Sequence, residues 1–163
     1  MQGFNHVMRA HSGTQWWGGR ATFAVDKIRR QCRLSSASGL NGVSIFGENS
    51  TFHTNAEFNY LALEYFADHP EASNHDFVRD VMASRLGGLS KAEYYYEIAE
   101  LHENTSAIPS AVSKISSITS DITDYDQLRR WQYIASFLNG YYFEERERGA
   151  KAEFKASDNI GGL

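Results

Sequence analysis

Residues 42–66 read GVSIFGENSTFHTNAEFNYLALEYF, and their pattern indicates the fold class. Its first part, residues 42–47, is short, apolar, rich in β-branched residues and bounded by glycine, which is typical of a buried strand. The polar residues 48–53 follow as a loop. Thr54 and Glu57 then have the spacing of a capping box, and an apolar stripe with helical spacing follows them. The pattern predicts a strand, a loop and a helix in succession.

A second strand and a helix precede this stretch. Residues 4–8 form a weak strand candidate, residues 11–19 a glycine-framed loop, and residues 21–34 an amphipathic helix. A strand, a helix and another strand usually form a right-handed parallel unit. Two parallel strands alone do not make a stable sheet, because parallel sheets are buried on both faces. Three explanations stay open: further strands within the N-terminal segment, strands from a partner chain, or a longer α/β protein of which this chain is the end. We favour the third.

The rest of the chain is predicted to be helical, so the fold class is an α/β fragment with two short parallel strands followed by a mostly α extension. We expect a βαβα segment over residues 1–69, a helical extension over 70–150 and a frayed tail over 151–163. The predicted helix starts are a capping box at Ser73 and Asp76, another at Ser90 and Glu93, Pro109 in a first turn, and a cap at Thr123 and Asp126.

Composition narrows the classes of function. The chain has 163 residues, 42% of them hydrophobic, and a net charge of -4, which indicates a globular domain without the concentrated positive charge that nucleic acids require. The lone Cys32 cannot form an internal disulfide and is interpreted as a small buried hydrophobe. The sequence lacks a signal-peptide pattern and any stretch of about 20 apolar residues. We therefore expect no nucleic-acid or membrane partner and a cytoplasmic location, unless the N-terminus is truncated.

The candidate site residues lie where the two predicted strands end. In parallel α/β folds the loops after the carboxyl ends of strands build the active site. Indole faces can pack on sugar rings, and carboxylates, amides and imidazoles can bond hydroxyl groups. Each residue also has a structural interpretation, such as a helix-capping acid, a tryptophan covering the sheet edge or a solvated strand end. The first loop supplies Arg9, His11, Trp16 and Trp17, and the second supplies Glu48, Asn49 and His53.

Motifs for other classes of chemistry are absent from the sequence. The sequence has no phosphate loop, no dinucleotide fingerprint, no nucleophile elbow and no zinc-protease spacing, so we expect no cofactor and no metal. The basic run of Lys27, Arg29, Arg30 and Arg33 is interpreted as the solvated face of a helix. The aromatic residues of the later helices have helical spacing and are predicted to be core or interface residues rather than a ligand platform: Tyr94, Tyr95, Tyr96, Trp131, Tyr141 and Tyr142.

The segments 42–48 and 55–66 resemble the last barrel strand and the following helices of glycoside-hydrolase-like (β/α)₈ proteins. The resemblance covers residues 1–90 and implies a carbohydrate ligand. A (β/α)₈ barrel typically needs about 250 residues, so the resemblance also implies a missing barrel portion or a partner chain. Most glycoside hydrolases use two carboxylates. Glu48 is the one well-placed catalytic-site candidate, so it is expected to bind substrate or stabilise charge, and the chain is not expected to be catalytically complete alone.

Two functional hypotheses follow from the sequence. In the first, the chain supplies one wall of the sugar-binding pocket of a carbohydrate-active protein. In the alternative, it is a non-catalytic helical module that binds other proteins, and its tyrosine-rich helices are the binding surface. The positions of Trp16, Trp17 and Glu48 discriminate between them, because a sugar pocket requires these residues to converge on one cleft.

Overall fold

A computed structural model describes residues 6–10, 16–17, 20–45, 53–101 and 104–160 of the chain, with backbone alone for 16–17, 20–21 and 156–160. It is mostly helical, and its four strands lie in the first 45 residues. The chain divides into two compact units, residues 1–96 and 97–163.

The first unit contains the predicted parallel strand pair. Strand β1 (Val7–Ala10) pairs in parallel with β4 (Gly42–Ile45), and helix α1 (Val25–Ala37) connects them. This confirms the α/β start followed by helices. Between β1 and α1, the two short strands β2 (Trp16–Trp17) and β3 (Arg20–Ala21) pair antiparallel, where the sequence predicted a loop.

The helices of the first unit follow β4. They are α2 (Thr54–Asp68), α3 (Asn74–Phe77), α4 (Ala83–Leu86) and the start of α5 (Leu89–Ala99). A π-helical turn, Val78–Met82, joins α3 to α4 without a break. The run ends at Gly87, whose φ of 89° is a left-handed conformation that glycine adopts without steric cost.

Helix starts agree with the sequence in part. The capping box at Ser73 and Asp76 is confirmed, since the side chain of each residue accepts the backbone N–H of the other. The predicted box at Thr54 is wrong, because His53 occupies the N-cap position and Thr54 lies fully buried inside the helix. Ser90 likewise lies within α5 rather than at its cap.

The core of the first unit lies between α1 and α2, with contributions from α3 to α5. α1 buries Val25, Ile28 and Cys32, and α2 buries Phe58 and Phe66. Cys32 is 3% exposed, and burial raises the pKa of its thiol, which therefore stays protonated at neutral pH. Its interpretation as a small core hydrophobe agrees with this environment.

The second unit packs helix α6 (Ile108–Ile118) against α7 (Tyr125–Ile160). A short 3₁₀ turn, Thr105–Ala107, precedes α6, and Pro109 lies in its first turn as predicted. The residue that caps α7 is Asp124, one position after the predicted Thr123. The carboxylate of Asp124 accepts the N–H of Gln127 at 2.8 Å. α7 continues as a helix to Ile160, past the point where the sequence predicted fraying. No helix of the described part is long and apolar enough to cross a membrane.

Candidate functional site

The two predicted site loops leave the same edge of the parallel pair. Ala10 at the end of β1 lies opposite Ile45 at the end of β4. Because the strands are parallel and in register, their carboxyl ends lie at the same edge of the pair. His11, Glu48 and Asn49 lie outside the described residues. Arg9 is exposed within β1, opposite Ser44.

The tryptophan pair belongs to the small antiparallel ladder. Trp16 lies opposite Ala21, and Trp17 lies opposite Arg20. The backbone of this segment thus doubles back within the first loop and then enters α1. This ladder has only two residues in each strand, so something outside it must fix its position.

Asn59 supplies such an anchor. Its Oδ1 accepts the N–H of Ala24 at 2.8 Å, and its Nδ2 donates to the carbonyl oxygen of Thr22 at 2.8 Å. Asn59 is only 1% exposed and lies in the second turn of α2. The side chain therefore bonds the Thr22 carbonyl oxygen and the Ala24 N–H, which directly follow β3. These two bonds join the end of the first loop to α2, the helix that follows the second loop.

Aromatic contacts reinforce the same junction. The ring of Phe23, between the two backbone groups bonded by Asn59, packs edge-to-face on Phe58 at a centroid distance of 6.4 Å and on Tyr96 at 5.3 Å. Phe58 in turn contacts Tyr95 at 5.5 Å. Phe23, Phe58 and Tyr95 are buried, so their rings form an apolar cluster that includes the segment bonded by Asn59.

The start of α2 buries polar side chains as well. Thr54 and Asn55 have no solvent exposure, and His53 at the N-cap is half-buried with an extended backbone. Among the described residues the Thr54 hydroxyl has no hydrogen-bond partner. His53 makes no side-chain capping bond, although its carbonyl oxygen accepts the N–H of Glu57 at 3.0 Å. These polar residues directly follow the segment that contains Glu48 and Asn49.

A second polar surface lies at the other end of α2, around the π-helical turn. The Tyr65 hydroxyl donates to Asp80 Oδ2 at 2.8 Å. Arg79 donates to both oxygens of Asp80, at 2.7 and 2.9 Å, and to Asp76 Oδ1 at 2.8 Å. Ser73 donates its hydroxyl and its N–H to Asp76 Oδ2. One guanidinium therefore joins two carboxylates, and each carboxylate has a further donor.

These contacts shift the ionisation of the groups involved. Burial and the hydrogen bond to the Asp80 carboxylate raise the pKa of Tyr65 to about 12. The hydrogen bonds from Arg79 and then from Tyr65 lower the pKa of Asp80. The two bonds from Ser73, followed by that from Arg79, lower the pKa of Asp76 to about 2. At neutral pH the phenol is neutral and both carboxylates are ionised, so the network is a stable ionic structure and holds no group ready to exchange a proton.

A cleft of about 320 Å³ adjoins this network. Its lining combines the carboxylates of Glu64, Asp68 and Asp80 with the Arg85 guanidinium and the apolar side chains of Leu61 and Val81. Within the described residues, no three histidine, cysteine or acidic side chains are placed to hold a metal ion. The residues of this cleft were not predicted from the sequence, because they come from α2, the π-helical turn and α4, and no local motif links those segments.

The predicted site residues thus have different outcomes. Arg9, expected in the first loop, lies within β1, and His53, expected in the second loop, is the N-cap residue of α2. The backbones of Trp16 and Trp17 lie in β2, between β1 and the Asn59 anchor along the chain. Asn59 was not among the residues predicted from the sequence. Its polar amide at a position on the apolar stripe of α2, one residue after Phe58, was a signal that could have identified it.

The aromatic residues of the later helices include several that lie in the core. Tyr95, Trp131 and Tyr141 are buried, as expected of core residues. The basic run on α1 is largely exposed, and its arginines form ion pairs: Arg29 and Arg30 with Asp26, and Arg33 with Glu71.

Comparison with known proteins returned no similarity: no family model, no curated protein and no solved structure matches the chain.

Proposed function

We propose that this chain is part of a carbohydrate-active, glycoside-hydrolase-like protein and supplies one wall of its sugar-binding pocket. The observation that supports the proposal is the shared edge of β1 and β4, where Ala10 lies opposite Ile45. The loop after β1 contains Trp16 and Trp17, and the loop after β4 contains Glu48 and Asn49. Indole faces and hydroxyl-binding polar groups are the chemistry that recognises a sugar ring.

The Asn59 anchor favours convergence of the two loops. It bonds the backbone at Thr22 and Ala24, at the end of the first loop, to a helix that begins directly after the second. A loop tied at both ends, by the β1–β4 pairing and by Asn59, has a restricted range of positions. In the proposed pocket, Arg9, His11 and His53 line the same edge, and Glu48 binds a hydroxyl or stabilises charge.

The exposure of the sheet supports the idea that further strands complete it. Parallel sheets are normally covered on both faces. Here Val7 is 55% exposed, and every residue of β4 is half-buried. Among the described residues, β1 and β4 pair only with each other. We propose that strands from the missing barrel portion, or from a partner chain, pair with these edges and supply the second catalytic carboxylate.

The test is glycan binding by the full-length protein. A glycan array or a thermal-shift screen with soluble sugars is repeated with Glu48→Gln and Trp16→Ala. Matched controls are Glu97→Gln, which neutralises an exposed carboxylate on α5, and Phe154→Ala, which removes an exposed aromatic side chain in the second unit. Loss of the glycan signal in both site variants, with folding intact and both controls unchanged, supports the proposal. Binding that is unchanged in Glu48→Gln and Trp16→Ala contradicts it.

The second candidate is the helical protein-binding module. One observation favours it: α7 exposes two large apolar side chains, Phe143 at 62% and Phe154 at 66%, on a helix whose other large apolar residues are mostly buried. This candidate predicts that removing these two side chains abolishes an association while leaving any glycan binding unchanged.

A further inference from the structure

The helix α7 has two different halves. Its first half buries Trp131, Ile134, Leu138 and Tyr141 on one face. From residue 146 to residue 155 every side chain is exposed. We call residues 142–155 the distal half of α7. Ion pairs along its own surface stabilise it as a helix, between Arg148 and Glu145 at 2.8 Å and between Lys151 and Glu147 at 2.6 Å.

The distal half has an organised face. Phe143, Glu147, Ala150 and Phe154 are spaced by four, three and four residues, which is the spacing of a coiled-coil stripe. We call these four residues the α7 stripe. At 3.6 residues per turn, Phe143 lies about 200° around the helix from Tyr141, so the stripe is on the side opposite the buried face. Both phenylalanines are more than half exposed.

We propose that the α7 stripe pairs antiparallel with the same stripe of a second copy of this chain, to form a weak, reversible dimer. In this register Phe143 of each copy packs on Phe154 of the other, and Glu147 lies beside Ala150. The twofold axis passes between Arg148 and Gly149. The proposal is independent of the sugar-binding proposal, which concerns the other unit.

The charges beside the stripe favour a second copy of this chain as the partner, and they favour the antiparallel direction. Glu144 and Lys151 flank one side of the stripe, and Arg146 and Glu153 flank the other. In the antiparallel register, Glu144 faces Lys151 of the second copy and Arg146 faces Glu153, so the twofold axis creates four attractive pairs. A parallel pairing would instead place Arg146 against Lys151 of the second copy, two like charges. The sequence of one helix is thus complementary to itself in the antiparallel direction.

The size of the stripe sets the expected strength. It spans little more than three helical turns, and its apolar contacts come from four phenylalanines in the dimer. Such an area falls short of the roughly 1,000 Å² that a stable interface buries. Glu147 in the stripe weakens the pairing further, because it is drawn toward Lys151 of its own helix. The dimer is therefore expected to form at high protein concentration and to dissociate on dilution.

Sedimentation equilibrium of the full chain over a wide concentration range tests the proposal. We expect a concentration-dependent rise in mass toward twice the monomer, at least tenfold weaker association in Phe143→Ser and Phe154→Ser, and stronger association in Glu147→Leu. A single monomeric mass at every concentration overturns the proposal. Circular dichroism of each variant verifies that the helical content is unchanged.

The direction is tested with Arg146 and Glu153, whose positions three and four residues away along α7 contain no oppositely charged residue. Arg146→Glu alone and Glu153→Arg alone each replace two attractive pairs with two repulsive ones, so both weaken the dimer. The double variant Arg146→Glu, Glu153→Arg restores the attraction and the association. Failure of the double variant to restore it overturns the antiparallel register. Glycan binding is measured on the same variants. If it persists where dimerisation is lost, sugar binding and dimerisation are independent properties.

Discussion

Polar side chains are usually exposed and large apolar ones buried, and the start of α2 and the distal half of α7 break this rule in opposite ways. α2 buries the polar side chains of Thr54, Asn55 and Asn59 within its first two turns, whereas α7 exposes Phe143 and Phe154. A buried polar group costs free energy unless it is bonded, and an exposed aromatic side chain contributes little to stability. The two regions therefore differ in what they do: at the start of α2, Asn59 fixes the backbone at Thr22 and Ala24, whereas the exposed phenylalanines of α7 form the surface that we propose pairs with a second copy of the chain.

The sharpest form of the comparison lies within α7. Trp131→Ala removes a large side chain that is 1% exposed, and we expect it to lower the free energy of unfolding by about 3–5 kcal/mol. Phe154→Ala removes one that is 66% exposed, and at low protein concentration we expect a change within about 0.5 kcal/mol. Denaturant unfolding of both variants measures the difference. A comparable loss in Phe154→Ala at low concentration would mean that the distal half packs on its own chain.

The next largest effect concerns the buried amide in α2. Asn59→Ala leaves the N–H of Ala24 and the carbonyl oxygen of Thr22 without their partner, and we expect a loss of about 2–4 kcal/mol. Amide hydrogen exchange at Ala24 should become faster in the variant, because its N–H loses its acceptor.

Two further variants sharpen this result. Asn59→Asp keeps an acceptor for Ala24 but places a buried carboxylate against the Thr22 carbonyl oxygen, so we expect it to lower stability at least as much as the alanine variant does. Glu64→Gln, an exposed change on the same helix, serves as the control and should alter stability by less than about 0.5 kcal/mol. Unchanged stability in Asn59→Ala would show that the segment at residues 22–24 is held by other contacts.

Local signals in the sequence predicted more of this fold than of its site. The parallel strands and the capping box at Ser73 and Asp76 depend on composition and on neighbours in sequence, so they could be recognised directly. The Asn59 anchor joins groups 35 and 37 residues apart, and no local pattern specifies such a contact. The predicted capping box at Thr54 was wrong for the same reason. The spacing of its hydroxyl and carboxylate fits the motif, but tertiary packing buries Thr54 inside the helix, one residue after the N-cap.

Thr54 provides a smaller and more diagnostic effect. Its hydroxyl is buried with no partner among the described residues, so its desolvation is uncompensated there. Thr54→Val keeps the shape and removes the hydroxyl, and we expect stability to stay the same or to rise by up to about 1 kcal/mol. Thermal unfolding measures the sign. A clear loss of stability would show that the hydroxyl has a hydrogen-bond partner outside the described residues.

The smallest expected effect is electrostatic, and it contrasts the buried polar residues with exposed ones. Hydrogen bonds from Ser73 and then from Arg79 hold the pKa of Asp76 at about 2, below the ordinary value of 3.8. A carboxyl group whose pKa is lower in the folded state stabilises the fold above the unfolded pKa, and this stabilisation is lost as the pH falls through the folded value. We expect the advantage of the natural chain over Asp76→Asn, measured as melting temperature, to be largest near pH 6 and to shrink between about pH 4 and pH 2.

Salt separates the two causes of this shift. Because Asp76 and Arg79 are partly exposed, added salt should screen their attraction while leaving the short hydrogen bonds from Ser73 in place. Part of the difference between the natural chain and Asp76→Asn should therefore survive at about 1 M salt. The lowered pKa of Asp80 is present in both proteins, so its own pH dependence largely cancels from the comparison. A difference in melting temperature that is constant from pH 6 to pH 2 would show that Asp76 acts through packing and not through its charge.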